Sequence, residues 1–423
     1  MSESTDPLRI EYGAELNGLR IVRQAPPAGA ASFSATYVGP AGFGFDPAGG
    51  EGTARLVCQL VTSAAGRLGR VALARRLDRA GATLSRECAP ESAEVTIWGP
   101  AGDWAELIGL LADVVLRPRF DPDDLSRARR QFLERQLRES TQPAARAERE
   151  LLRLIFPEGH PYRATGLGDR RSVERLTRAD LVRFHARHYT SGEGLLVVTA
   201  PARLAKIEQV ARRRFSEFAE TRGPTLRIPA VRPRPSTVKK IDLPGRSQVE
   251  VRVGGTSLER THPAYPAAFL ANEVLGGRPL LGRLFQRVRE RGGLAYHASS
   301  ALDSMRFGGY WVAEAGTGGD RWPKVVPMLE EEVERLRSET VRSSELEEIR
   351  ESAIGELPLS LESTADAHDL AVDAAYNRLP PDHWIRWPAE LRAVRPRELR
   401  EAAGLAFDRR SAATVLVGPL SGK

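Results

Sequence analysis

With 423 residues, 41% of them hydrophobic and 28% charged, the chain has the balance of a folded protein with room for more than one core, which excludes a disordered or fibrous chain. Lysine and arginine outnumber aspartate and glutamate by 62 to 55, but the arginines are spread along the chain instead of forming one basic stripe, so nucleic acid is not an expected partner. Two cysteines exclude a disulfide framework and a four-cysteine zinc site. The opening Met1-Ser-Glu-Ser-Thr-Asp-Pro-Leu lacks a basic and then apolar leader, and the longest apolar runs, such as Gly194-Leu-Leu-Val-Val-Thr-Ala, are too short to span a membrane. The expectation is a cytoplasmic chain with no membrane contact.

In chain order, residues 18–22 and 31–38 alternate like strands, and residues 52–65 and 70–80 have the apolar spacing of helices. Strand-like residues 82–88 and 93–98 follow as a hairpin pair. Helices are expected over 104–116, over the Arg/Glu-rich stretch 122–140 and after Thr177, with a strand over 194–200. Residues 220–240 are rich in Pro and Arg and poor in periodicity, which predicts a stiff linker. Beyond it the plan repeats: a strand over 249–253, helices over 264–274 and 281–290, a strand pair over 295–302 and 309–315, and a last strand over 413–417. Strands grouped with helices, without strict βα alternation, predict an α+β fold of two homologous half-chains. Each is an α/β sandwich of a mostly antiparallel sheet with helices packed on it, divided as 1–220, a linker at 221–240, and 241–423.

Several segments carry a resemblance. Asn17-Gly-Leu-Arg-Ile-Val, Asp46-Pro-Ala-Gly-Gly-Glu-Gly-Thr-Ala, Phe120-Asp-Pro-Asp-Asp-Leu, Gly159-His-Pro-Tyr and Leu176-Thr-Arg-Ala-Asp-Leu occur in order in the first half. Leu275-Gly-Gly, the run from Arg283 to Tyr296, and Leu359-Ser-Leu-Glu-Ser-Thr continue the order in the second. Together they resemble the insulinase/pitrilysin metallopeptidases, nearest the processing-peptidase branch, from about residue 10 to 418. The resemblance implies that the two halves form a clam-shell.

That family binds zinc through H-x-x-E-H on its first helix, where two imidazoles share one face and the glutamate serves as base toward the metal-bound water. Here Arg55-Leu56-Val57-Cys58-Gln59 stands in the matching place. Arg55 is permanently cationic, Gln59 is a poor zinc ligand, and the Cys58 thiol does not replace a carboxylate base. The third ligand of the family is a glutamate on a later helix, and the alignment puts Arg135 there with Glu134 beside it. No metal is expected in this chain. Of the seven histidines only His185 and His188 are spaced to share a helical face, and no acidic or cysteine partner completes a set, so they and His160 are expected to be structural. Cys58 is expected to be a small buried apolar group.

Arg289 and Tyr296, flanking Gly292-Gly293, match an arginine and a tyrosine that in the family reach the substrate backbone and the oxygen of the scissile carbonyl. A cationic fork and a phenol donor suit that role. The resemblance therefore implies a non-catalytic, substrate-binding subunit of a heterodimeric zinc metallopeptidase. Its partner would be a zinc-bearing homologue and its ligand a peptide. The alternative is a zinc-less scaffold or peptide-binding protein of the same fold without a peptidase partner.

Overall fold

The computed structural model describes residues 4–218 and 223–420. Six strands of the first half form one sheet: β1 (Ile10–Tyr12), β2 (Arg20–Gln24), β3 (Ser32–Gly39), β4 (Thr83–Cys88), β5 (Ala93–Pro100) and β6 (Leu195–Thr199). Their order is β1-β2-β6-β3-β5-β4. The first-half helices are α1 (Thr53–Val61), α2 (Arg70–Arg79), α3 (Trp104–Leu116), α4 (Pro122–Thr141), α5 (Pro143–Ile155), α6 (Arg170–Arg175), α7 (Arg178–His188) and α8 (Leu204–Arg214). A second sheet joins β7 (Thr237–Asp242), β8 (Gln248–Ser257), β9 (Ala295–Met305), β10 (Gly308–Gly318) and β11 (Ala413–Gly418) in the order β7-β11-β8-β10-β9. With it come α9 (Tyr265–Asn272), α10 (Trp322–Ser338), α11 (Ser343–Glu356), α12 (Thr364–Tyr376), α13 (His383–Ala393) and α14 (Pro396–Ala406).

The two sheets repeat one topology. Setting β1 aside, β2-β6-β3-β5-β4 corresponds strand for strand to β7-β11-β8-β10-β9. Each contains a single parallel pair at the same place, β2 with β6 and β7 with β11, and every other pairing is antiparallel. Both halves are thus mostly antiparallel α/β sandwiches, as the repeated order of elements predicts.

Local sequence explains most of the elements. In β5, Ala93, Val95, Ile97 and Gly99 are buried while Glu94, Thr96, Trp98 and Pro100 are less so, the period-two alternation of a strand with one face on a core. In α1 most residues are buried, because the helix runs through the core with Leu56, Val57, Leu60 and Val61 packed all round it. Asp46 starts that helix: its carboxylate accepts the backbone N–H groups of Gly52 and Ala54, each at 2.7 Å. Gly52 sits at φ +99° ahead of α1, a conformation that favours glycine. Burial pushes the Asp46 carboxyl up to about 7.

Three expectations need correction. The segment 221–240 is not linker throughout, since β7 begins at Thr237 and pairs in parallel with β11; its first residues, to 222, lie outside the described residues. The helix expected over 281–290 is a π-helical turn, Phe285–Arg291, and α9 ends in another, Glu273–Gly277. Apolar spacing does not distinguish an i to i+5 ladder from the usual one. Finally, the chain passes between the compact units not only within 221–240, after residue 227, but also after residues 136, 163, 356 and 386. One comprises residues 1–136, 164–227 and 357–386, and the other 137–163, 228–356 and 387–423. The halves exchange helices: α5, from the first half, packs Ala147, Leu151 and Ile155 with Val312, Val415 and Val417 of the second sheet. In return α12 packs Ala371, Val372 and Ala375 on Val22, Val38, Leu195 and Val197 of the first. Among the described residues no helix is long and apolar enough to cross a membrane.

Candidate functional site

The residues expected at the altered zinc motif lie on α1, and each is occupied in a way that suits packing. Arg55 lays its guanidinium over the Phe43 ring, 4.9 Å from the centroid. A Cβ at Gly166 would stand 2.6 Å from the Arg55 Nε, so the glycine makes room for that guanidinium. Cys58 is 3% exposed and its thiol donates to the carbonyl oxygen of Glu87 on β4 at 3.2 Å. Cys88, at the end of the same strand, has its thiol held well above the usual range by a hydrogen bond with Cys58 and by burial.

Gln59 donates from Nε2 to Oε1 of Gln131 on α4 at 3.0 Å. Gln131, which sequence reasoning did not single out, is thus the residue α4 presents to Gln59. Arg135 lies one turn further along the same helix and is exposed. The i, i+4 spacing from Arg135 was the signal available in the sequence for Gln131. This donor set does not fit zinc: a fixed cation, a buried thiol turned to a carbonyl and two neutral amides offer neither the charge nor the imidazole nitrogens of such a site. The histidines point elsewhere. His185 Nε2 meets Val115 O at 2.8 Å and His188 Nδ1 meets Pro40 O at 3.1 Å. His160 accepts the Tyr162 N–H and stacks on Phe156. Burial lowers all three to about 4, so they are neutral near pH 7.

The second set of residues is carried by one turn and strand of the second sheet. Arg289 lies in the π-helical turn Phe285–Arg291, and Tyr296 opens β9, an edge strand of its sheet. Between them Gly293, at φ +58°, bends the chain, and its carbonyl accepts from Arg321 Nη1 at 2.9 Å. The Gly293 N–H is held by Arg289 O at 3.0 Å and that of Leu294 by Val288 O at 3.1 Å. Thr317 Oγ1 donates to Leu294 O at 2.5 Å. The segment is therefore a braced turn with two projecting side chains. Tyr296 is 64% exposed.

The neighbouring arginines show what a structural arginine looks like here. Arg283 makes a two-point contact with Glu345 at 2.7 and 2.9 Å, Arg287 pairs with Glu331 and Glu332, and Arg278 with Glu273 and Glu356. Arg289 has no carboxylate partner among the described residues and only rests its guanidinium 5.0 Å over the Phe285 ring. Its N–H fork is free to bind an oxygen from outside. On β9, next in sequence to Tyr296, His297 Nε2 stands 3.6 Å from the buried Glu250 carboxylate, whose pKa is raised by burial.

The chain is similar to known proteins in sequence and in fold. Residues 175–353 match the family model described as the peptidase M16 inactive domain. A protein of Mycobacterium tuberculosis named an uncharacterized zinc protease is 27% identical over 356 residues, covering 82% of this chain and 79% of that one. A Bacillus subtilis protein of similar name is 36% identical over a shorter stretch of 117 residues, 28% of each chain. The crystal structure of a peptidase M16 inactive domain from Pseudomonas fluorescens superposes with a TM-score of 0.91 at 20% identity over 98% of both chains. A protease from Helicobacter pylori does so at 0.87 and 16%, over 97% of this chain and 99% of that one. These two likenesses are of fold. Residues 175–353 thus carry a peptidase M16 inactive domain, in a chain whose sequence is similar to proteins named zinc proteases and which contains no H-x-x-E-H.

Proposed function

We propose that this chain is the non-catalytic, substrate-binding subunit of a heterodimeric zinc metallopeptidase in the cytoplasm. A homologous partner holds the zinc and cuts, while this chain presents Arg289 and Tyr296 to an extended peptide. The observation that carries the reading is the contrast on the second sheet: Arg278, Arg283 and Arg287 are tied to carboxylates, whereas Arg289 is free and Tyr296 is exposed at the head of an edge strand. An edge strand offers unpaired backbone groups to a peptide, and a guanidinium with a phenol suits the carbonyl oxygen on which charge develops.

The test is reconstitution with a homologue that has H-x-x-E-H. Cleavage of an unfolded peptide is expected only in the mixture. Arg289→Ala or Tyr296→Phe is expected to lower kcat/KM by about 100- to 1,000-fold, the range for loss of one donor to a developing oxyanion. An unchanged rate with both variants would remove the role given to the pair, and failure of the subunits to associate would favour a scaffold. Arg55→His, Cys58→Glu and Gln59→His together are expected to leave the isolated chain without turnover, because α4 offers Gln131 and Arg135 in place of a carboxylate.

A further inference from the structure

A cavity of about 930 Å³ opens between the loop ahead of α1 and the outer face of α7. Its floor is apolar: Phe45, Pro47, Leu176, Phe184 and Pro224 line it, with Phe184 stacked on His188 at 4.3 Å between centroids. Its rim is cationic. Arg183 and Arg187 project from α7 one turn apart, on the stripe that also carries Asp180, Phe184 and His188, and Arg175 stands at the end of α6.

The charges on the rim do not cancel. Asp180 is the one carboxylate among the described lining residues, and it is already engaged by the Thr177 backbone N–H at 2.8 Å, the Thr177 hydroxyl at 2.6 Å and Arg183. Arg175 uses Nε on the Arg171 carbonyl at 3.1 Å, and neither it nor Arg187 has a carboxylate hydrogen-bonded to it among the described residues. His188 adds no charge near pH 7, since burial lowers it to about 4. Two guanidinium groups thus face an apolar hollow whose volume lies in the range of small-ligand sites.

The backbone narrows the ligand class. A phosphate would draw on free N–H groups at a helix N-terminus. Those of α1 are spent: Gly52 and Ala54 donate to Asp46, and Thr53 donates to Gly50 O. What remains is a pair of side-chain forks above aromatic and proline surface, which matches a carboxylate carried on an apolar body. We propose that this cavity binds such an organic carboxylate, either the C-terminus of a peptide ending in a large apolar residue or a free apolar acid.

Calorimetric titration of the full chain with N-acetylphenylalanine, its amide and decanoate tests this. The free acid or decanoate is expected to bind saturably, and the amide at least about 10-fold more weakly, since a charged hydrogen bond is lost. The tighter of the two acids identifies the source. Arg187→Gln is expected to weaken the acid by about 10-fold, and Arg175→Gln with Arg187→Gln to erase the preference over the amide. Both arginines are exposed, so unliganded variants should keep the wild-type thermal midpoint. Arg289→Ala should bind the acid as wild type does, which separates this site from the peptide-handling pair. Equal binding of acid and amide, absence of saturable binding by either acid, or wild-type affinity in Arg187→Gln overturns the proposal.

Discussion

The two exchanged helices do the same architectural task with different chemistry. On the first sheet α12 sets a row of small residues, Ala371, Val372 and Ala375, against valines and a leucine, and a polar spine runs beside them. His368, 1% exposed, holds Thr36 Oγ1 through Nε2 and Thr199 Oγ1 through Nδ1, both at 2.8 Å. Gln24 then joins Thr199 at 2.7 Å to the Ala367 carbonyl at 2.9 Å, and Ser32 meets Thr364 at 2.9 Å. On the second sheet α5 relies on larger side chains, Leu151, Leu152 and Ile155, while its polar contacts lie at the margin. Lys239 pairs with Glu150 at 2.6 Å, and Arg252 lies 3.9 Å from Glu148. One helix is seated by a satisfied buried network, the other by bulk. A buried network fails when one member is removed or changes protonation, whereas apolar packing is indifferent to pH.

The most direct way to break the comparison is to empty each seat in turn. Leu151→Ala is expected to cost about 2–4 kcal/mol at any pH, as a cavity in an apolar core does. His368→Ala should cost about 3 kcal/mol at pH 7, combining lost volume with orphaned threonine hydroxyls. Its cost should shrink in acid. Burial holds the folded-state pKa of His368 at about 3, below the unfolded value of 6.5, so the unfolded chain binds the extra proton. The stabilisation is fully present above about pH 6.5 and is lost as pH falls toward 3, which amounts to about 2 kcal/mol at pH 5. Denaturant titration of both variants at pH 7 and pH 5 reads the difference, and parallel losses at the two pH values would remove the distinction between the seats.

A smaller effect sharpens it from the alkaline side. Glu94 of the first sheet is pushed up to about 7 by burial and then by Glu87, Asp369 and Asp373, the last two on α12. The folded chain therefore keeps a proton that the unfolded chain releases near 4.5, and stability falls as pH rises from there to 7. Glu94→Gln should be more stable than wild type by about 1–3 kcal/mol at pH 8, with the gain vanishing near pH 4. Thermal unfolding across that range measures it. The smallest change is expected on the second sheet: Lys239→Met should cost less than about 1 kcal/mol, because the lysine side chain is 43% exposed and the pair is screened. A larger loss would mean that α5 depends on its ion pairs after all.

Much of the fold was legible in the sequence. Period-two alternation located β2 and β3, strand-like runs located β5, β8 and β10, and the repeated order of elements carried the duplicated plan, because those are properties of short windows. The exposed state of Arg289 and the partnered state of Arg283 and Arg287 were not legible, since all three look alike in a run of arginines and only distant glutamates tell them apart. Gln131 and the Cys58–Cys88 contact likewise join residues far apart in the chain.

The exchange of α5 and α12 is the clearest case of what sequence alone left open. By itself the sequence determined where strands alternate, where helices have an apolar face and that no H-x-x-E-H is present, since each follows from the local period and chemistry of the side chains. Only the tertiary structure decided which sheet each helix covers and which polar groups meet across it. An apolar helix face requires a partner surface but does not specify one, and the choice is made by how the chain crosses between two sheets of the same topology.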